Sequence, residues 1–202
     1  MWSLVRGLVG ADADGRSSLI RLIVAFLPAA FIGVIAGDAM KSALFGPIPV
    51  TIAWLVGGVV LLQWKPSKGS LAFHEMPIRA AFIIGCAQSL ALWPGVSRSL
   101  VTLIAALAVG LSMPAAIEFS FLLGLITLSS ATALDLTKHG SELVDQFGIL
   151  APSIGLFCAF TTAVIAVKWM VGYLESHSLR VFGWYRLAIG VVSVVLLATN
   201  VL

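Results

Sequence analysis

Charge is what this sequence has least of. Only 10% of its 202 residues are Asp, Glu, Lys or Arg, while 60% are apolar and the mean hydropathy is +1.08. Soluble domains carry about a quarter charged residues. So few charges do not cover the surface of a water-soluble globule, which excludes an ordinary cytosolic enzyme and a disordered regulator. The basic residues are also unclustered: twelve Lys and Arg stand singly along the chain and the net charge is only +3. Nucleic-acid binding needs a basic face, and none is present. Cysteine is scarce too. Cys86 and Cys158 each lie inside an apolar run, give no disulfide framework or metal-ligand spacing, and read as small core hydrophobes. Nor does the N-terminus read as a cleaved leader, because Arg6, Asp12 and Asp14 leave no apolar stretch around Ala11-Asp12-Ala13.

What the chain does have is long charge-free intervals. None of the four charged types occurs between Arg21 and Asp38, Lys41 and Lys65, Arg79 and Arg98, Arg98 and Glu118, Glu118 and Asp135, Asp145 and Lys168, or after Arg186. Most of these seven gaps are 16 to 23 residues long, and a bilayer core of ~30 Å takes about 20 apolar residues as a helix. The chain therefore reads as an all-α integral membrane protein. The N-terminal tail, the Lys65–Arg79 loop and the Lys168–Arg186 loop are net basic, whereas Asp135–Asp145 is net acidic. Placing the basic loops in the cytoplasm puts spans near 20–37, 48–64, 113–136, 147–170 and 184–201. The five crossings alternate only if 78–112 leaves and returns on one side. The expected organisation is a single polytopic domain over 1–202: two spans in 20–77, a re-entrant hairpin at 78–112, and three spans in 113–202.

The content of 78–112 supports a hairpin. Residues 93–99 read Trp-Pro-Gly-Val-Ser-Arg-Ser; Pro94 lacks an amide donor and Gly95 is conformationally permissive. Each flanking arm is too short for a full span. Broken backbone at membrane depth is tolerated only where it lines a cavity or is buried in protein, so this stretch reads as a pocket.

Arg98 and Glu118 are the charges left deep in the apolar segments, and an intramembrane ionisable residue is a functional-site candidate. A snorkelling Arg98 or a structural Arg98–Glu118 pair is the plainer alternative. Against it, Ser97 and Ser99 flank Arg98 and Gly95 exposes backbone beside it. Hydroxyls, a guanidinium fork and free N–H groups at a helix start form an oxyanion site, with phosphate its natural guest. Thr102 stands one turn beyond Ser99 on the same face. Glu118, with Ser120 close by, reads either as orienting Arg98 or as a catalytic or metal-binding carboxylate. Gln88 reads as a hydrogen-bonding wall. His74, His139 and His177 fall in predicted loops, which gives a histidine-based mechanism little support. Gly33 and Gly37 have the spacing for close helix packing. Trp54, Trp64, Trp169, Trp184 and Tyr185 mostly sit near span ends as interfacial anchors.

The run 85–99, Gly-Cys-Ala-Gln-Ser-Leu-Ala-Leu-Trp-Pro-Gly-Val-Ser-Arg-Ser, is followed by Glu118-Phe119-Ser120-Phe121-Leu122-Leu123 and Ala131-Thr132-Ala133-Leu134-Asp135. Together these resemble the undecaprenyl-pyrophosphate phosphatase family, the integral-membrane bacitracin-resistance enzymes of bacteria. The resemblance runs from about Arg16 to the C-terminus and includes Lys41-Ser42 and Tyr185-Arg186. It implies a multi-pass protein of the bacterial inner membrane with partial inverted-repeat architecture, as in other proteins with broken helices at mid-membrane. It also implies removal of the terminal phosphate of undecaprenyl diphosphate, recycling the lipid carrier for cell-wall synthesis, with help from a divalent cation (Mg²⁺ or Ca²⁺). By position, Arg98 would hold the polyprenyl diphosphate with Ser97, Ser99 and Thr102 around it; joined to the reading of the residues above, the candidate catalytic set is Arg98, Ser97, Ser99 and Glu118, and the candidate substrate-binding set is Gly95, Thr102, Gln88 and Ser120.

The sequence also departs from the family pattern. Members normally begin with another hairpin carrying a Glu-x-x-x-Glu pair and a Ser-Ser-Thr-Gly-His loop. This chain has Glu only at 75, 118, 142 and 175, so the expected metal-binding carboxylates are absent and the metal ligands are unknown. Leu100-Val101 replaces the usual Gly-Ala, and Gly124-Leu125-Ile126 lacks the usual Pro. Three expectations follow: an in-frame upstream segment completes an active enzyme; the chain is a truncated homologue, inactive or pairing with another copy as a homo-oligomer; or it is a polyprenyl-phosphate carrier or flippase that binds without cleaving.

Overall fold

The computed structural model describes residues 13–65, 69–176 and 178–199. His177 and the N-terminal tail through Asp12, on which the leader reading rests, lie outside them. Helices α1 (Ala13–Leu44), α2 (Pro47–Gln63), α3 (Ile78–Ser89), α4 (Arg98–Ala108), α5 (Met113–Phe147), α6 (Leu150–Ser176) and α7 (Arg180–Ala198) follow in order. No named strand is present among the described residues. Residues 13–124 with 179–199 form one compact unit, and 125–178 form a second.

Local sequence explains the element ends. Asp14 in the first turn of α1 and Lys41 in its last complement the helix dipole. Pro47 opens α2 at a position where no amide donor is needed. Helix α3 tightens into a 3₁₀ turn at Leu90–Leu92 before Trp93–Ser97 interrupts it, and α4 begins at Arg98. Four helices are long and apolar enough to cross a membrane: Asp14–Leu44, Met113–Phe147, Leu150–Tyr173 and Arg180–Ala198. At 17 residues, α2 extends about 25 Å, the lower end of what spans. The arms Ile78–Leu92 and Arg98–Ala108 reach only about 22 Å and 16 Å, and neither crosses alone.

In the first unit α1 packs on α3, α2 on α7, and α3 on α4. Leu22, Ala25, Leu61, Ile84, Leu107, Phe119 and Leu123 are buried there. Small residues set the close approaches. A Cβ on Gly85 of α3 would run into the Ala25 carbonyl of α1, and one on Gly183 of α7 would meet Gly58 O at 3.1 Å. Gly37, by contrast, has nothing within 4 Å and Gly33 only Leu92 at 3.8 Å, so the packing expected of that pair belongs to other glycines. The segment before α3 is stitched to the α4–α5 turn by Leu71 N–H to Gly110 O (3.1 Å) and Ser112 N–H to Leu71 O (3.0 Å).

The second unit is apolar and almost entirely exposed; Leu156 and Phe157 are 73% and 72% accessible. An apolar surface this extensive belongs in lipid. Its hydroxyls conform, since Ser153, Thr161 and Thr162 each donate to a carbonyl within their own helix, as hydrocarbon surroundings demand.

Three expectations need correction. Segments 38–47 and 136–146 are mostly helix rather than loop, because α1 runs to Leu44 and α5 to Phe147. His139 therefore lies on a helix, pairing with Asp135 one turn back at 3.4 Å. Cys86 and Cys158 are exposed, not core.

Candidate functional site: a broken helix with two arginines

The interruption is a tight turn fixed on α2. Pro94 and Gly95 occupy its two central positions, Gly95 has φ +90°, and Val96 N–H closes it on Trp93 O at 3.1 Å. Pro followed by a left-handed Gly is what a type II turn requires. A Cβ on Gly95 would also stand 2.9 Å from Val50 O and 3.1 Å from the Ala53 Cβ, so glycine is needed for both conformation and proximity. Trp93 Nε1 donates to Pro49 O at 3.1 Å, pinning the other side of the turn.

Helix α4 leaves the turn with its N-terminus uncapped by side chain. Ser97 holds the N-cap position in extended conformation and makes no side-chain capping bond, while its carbonyl accepts from Val101 N–H at 3.0 Å. The amides of Arg98, Ser99 and Leu100 have no partner within the helix and point back toward the turn. Ser97 and Arg98 are half-buried and Ser99 is exposed. The Arg98 guanidinium lies flat on α5 at Gly124, where a Cβ would come within 2.8 Å of both Nη atoms. Its Nη1 is buried and has no hydrogen-bond partner among the described residues.

Beneath this surface, Thr102 and Ser120 are buried and brace α4 against α5. Their hydroxyls meet at 2.5 Å. Thr102 Oγ1 also bonds Arg98 O at 2.9 Å and Ser120 Oγ bonds Ser99 O at 3.1 Å. Gln88 is buried in the first arm at 2% exposure.

The structure thus gathers Gly95, Ser97, Arg98 and Ser99 at the turn, with Thr102 and Ser120 below. Glu118 lies elsewhere. It is exposed and lines a cavity of about 310 Å³ with Asp14, Ser18, His74 and Ser112. Six residues along a helix rotate a side chain by about 240°, which separates Glu118 from Gly124, the residue Arg98 covers. Sequence reasoning missed Arg186. Its Nη2 donates to Gly95 O at 2.7 Å and to Ala53 O at 3.0 Å, and its head group lies on Gly57 of α2, where a Cβ would be 2.5 Å from Nη2. The signal was present: Arg186 is seven positions inside α7, and the intramembrane-charge argument applied to Arg98 applies equally to it.

A divalent cation of the Mg²⁺ or Ca²⁺ type takes oxygen ligands, carboxylates foremost. The turn offers a guanidinium, hydroxyls and amides, which suit an anion. Among the described residues no group of three His, Cys, Asp or Glu is placed to hold a metal. The residues at the turn do not fit a metal site.

These features define an all-α membrane protein with an anion-complementary broken helix. A family model described as "Bacitracin resistance protein BacA" matches residues 1–192, and the chain belongs to that family. Among its relatives is the protein named undecaprenyl-diphosphatase of Sorangium cellulosum, 41% identical over 92% of this chain and 63% of the relative. Proteins of the same name from Acinetobacter baumannii and Bradyrhizobium diazoefficiens are 38% and 39% identical, with 71% and 75% of their lengths covered. The chain spans roughly two thirds of the length of the first of these relatives.

Proposed function

We propose that the chain acts in the dephosphorylation of undecaprenyl diphosphate to undecaprenyl phosphate, recycling the lipid carrier for cell-wall synthesis and so conferring bacitracin resistance. The observation that carries this is the uncapped start of α4, where Arg98 stands in the chain between Ser97 and Ser99 and its Nη1 has no partner among the described residues. A helix N-terminus attracts anions through its free amides and dipole, and an Arg fork adds charge-assisted bonds to phosphate oxygens. In this reading the paired short arms make a re-entrant hairpin and the chain adds five crossings of the bacterial inner membrane. That brings a phosphate head group to the turn while the prenyl chain stays in hydrocarbon.

In this reading Arg98 and the α4 amides hold the diphosphate and stabilise charge that develops as the phosphoanhydride breaks. Ser97 and Ser99 present hydroxyls to the same oxygens, and Gly95 lets backbone approach them. Thr102 and Ser120 support these groups from below, and Gln88 is a buried polar wall in the first arm. The family resemblance implies a divalent cation. The turn does not fit one, and Glu118 lines a different cavity, with Asp14 and His74.

A second reading, binding without cleavage as by a lipid-phosphate carrier or flippase, draws on the same observation, since a guanidinium, hydroxyls and amides at a helix start hold a phosphate whether or not it is cleaved. The discriminating experiment is phosphate release from undecaprenyl diphosphate by the purified 202-residue chain in detergent, with and without Mg²⁺ or Ca²⁺. Release that Arg98→Ala abolishes supports the phosphatase. Retained lipid binding without release supports the carrier, and neither release nor binding overturns both.

A further inference from the structure

We infer that Arg186 is a positioning residue for the phosphate-binding turn, acting through the Gly95 carbonyl. The inference rests on the function proposed above for its consequence, and on geometry alone for the contact.

Arg186 is a charge within the apolar helix α7, and its head group is tied to carbonyls on two different elements. Nη2 bonds Ala53 O in α2 and Gly95 O in the turn. The route to Ala53 is open because Gly57, one helical turn further on, has no side chain; a Cβ there would reach the guanidinium Nε and Cζ at 2.9 Å. The surroundings are apolar. Arg186 and Ser97 share the wall of a cavity of about 380 Å³ whose other lining includes Ile52, Val56, Leu90 and Leu100.

A carbonyl without a partner in such surroundings is costly, and Gly95 sits where the helix ladder is interrupted. The guanidinium meets that need while clamping the turn to α2. Gly95 is three residues from Arg98, so its orientation determines how the first amides of α4 and the Arg98 side chain face an incoming phosphate. Arg186 need not touch the phosphate to do this. Removing it lets the turn rotate on α2 and disorders the amides that bind.

The test uses Arg186→Ala and Arg186→Lys in the full chain in detergent, with thermal melting to confirm folding. Hydrogen exchange is followed over 93–101, where Val96 and Val101 amides are bonded, together with affinity for undecaprenyl phosphate. The expected result is at least about tenfold faster exchange at Val96 in Arg186→Ala, partial recovery in Arg186→Lys, and a parallel loss of affinity. Arg98→Ala should lose affinity while leaving Val96 exchange as in the wild type. If Arg186→Ala does not fold, Gly57→Ala, which displaces the guanidinium and keeps the charge, is read the same way. Unchanged Val96 exchange in a folded variant overturns the inference. A wild type that fails to bind the lipid, with the exchange difference intact, overturns the phosphate-binding reading and leaves the positioning contact standing.

Discussion

Two arginines flank one five-residue interruption, and the structure treats them differently. Each lays its guanidinium on a helix glycine, Arg186 on Gly57 and Arg98 on Gly124. Arg186 turns the end of its fork inward, with Nη2 on the carbonyls of Ala53 and Gly95, although its Nε is left buried without a partner. Arg98 lays both Nη atoms against α5, and its Nη1 is buried without a partner among the described residues. A buried donor left unsatisfied costs about 1–3 kcal/mol, more when charged. Charge inside a membrane protein is therefore read from where the donors go: Arg186 Nη2 is taken up by two carbonyls, whereas Arg98 Nη1 is taken up by no described residue.

That contrast can be broken most directly at Arg98. Hydrogen bonds to charged groups contribute about 1.5–3 kcal/mol each, so losing two of them in Arg98→Ala should weaken undecaprenyl phosphate binding by about 10²–10⁴-fold, with little change in melting temperature. Isothermal titration in detergent and a thermal melt check both halves.

The turn comes next. Gly95→Ala forces a left-handed conformation on alanine and a 2.9 Å approach to Val50 O, which should cost about 1–3 kcal/mol and lower the melting temperature. Gly124→Ala addresses the open arginine from its floor. The new methyl meets only the end of a flexible side chain, so the fold should persist while affinity falls about tenfold, or about 1.4 kcal/mol. In an Arg98→Ala background the same change should do nothing more, and a double-mutant cycle measures that. The smallest effect is expected beneath the site. Ser120→Ala removes the bond to Ser99 O and the 2.5 Å contact with Thr102, costing about 1 kcal/mol of stability and leaving affinity within a few fold.

Much of this architecture was legible in the sequence because a bilayer imposes so strong a length rule. The charge-free gaps place α2 and α7 within a few residues of their observed ends, and Trp-Pro-Gly marks the interruption at 93–97. The same rule misplaces the end of α5. Asp135–Asp145 reads as a loop because the apolar run stops, yet leaving hydrocarbon does not end a helix. The segment has no proline, Leu136, Lys138, Glu142 and Leu143 favour helix, and Asp135 and His139 pair one turn apart. The grouping of Ser97, Arg98 and Ser99 at the turn was equally legible, since the three are contiguous. Arg186 was legible as a charge inside the last predicted span, but its partners were not, because they are carbonyls of Ala53 and Gly95, 133 and 91 residues away. No side-chain pattern announces such a contact. Glu118 shows the opposite error: nearness to Arg98 in the gap pattern suggested partnership, but helical rotation turns it toward Asp14 and His74.

The central claim is that the turn before α4 is an anion site whose ligand is Arg98. The most direct measurement is the affinity of the purified chain for undecaprenyl phosphate, compared between wild type and Arg98→Ala at matched folding. The account predicts measurable binding that falls by at least about 10²-fold in the variant. Equal affinity in the two proteins would contradict it.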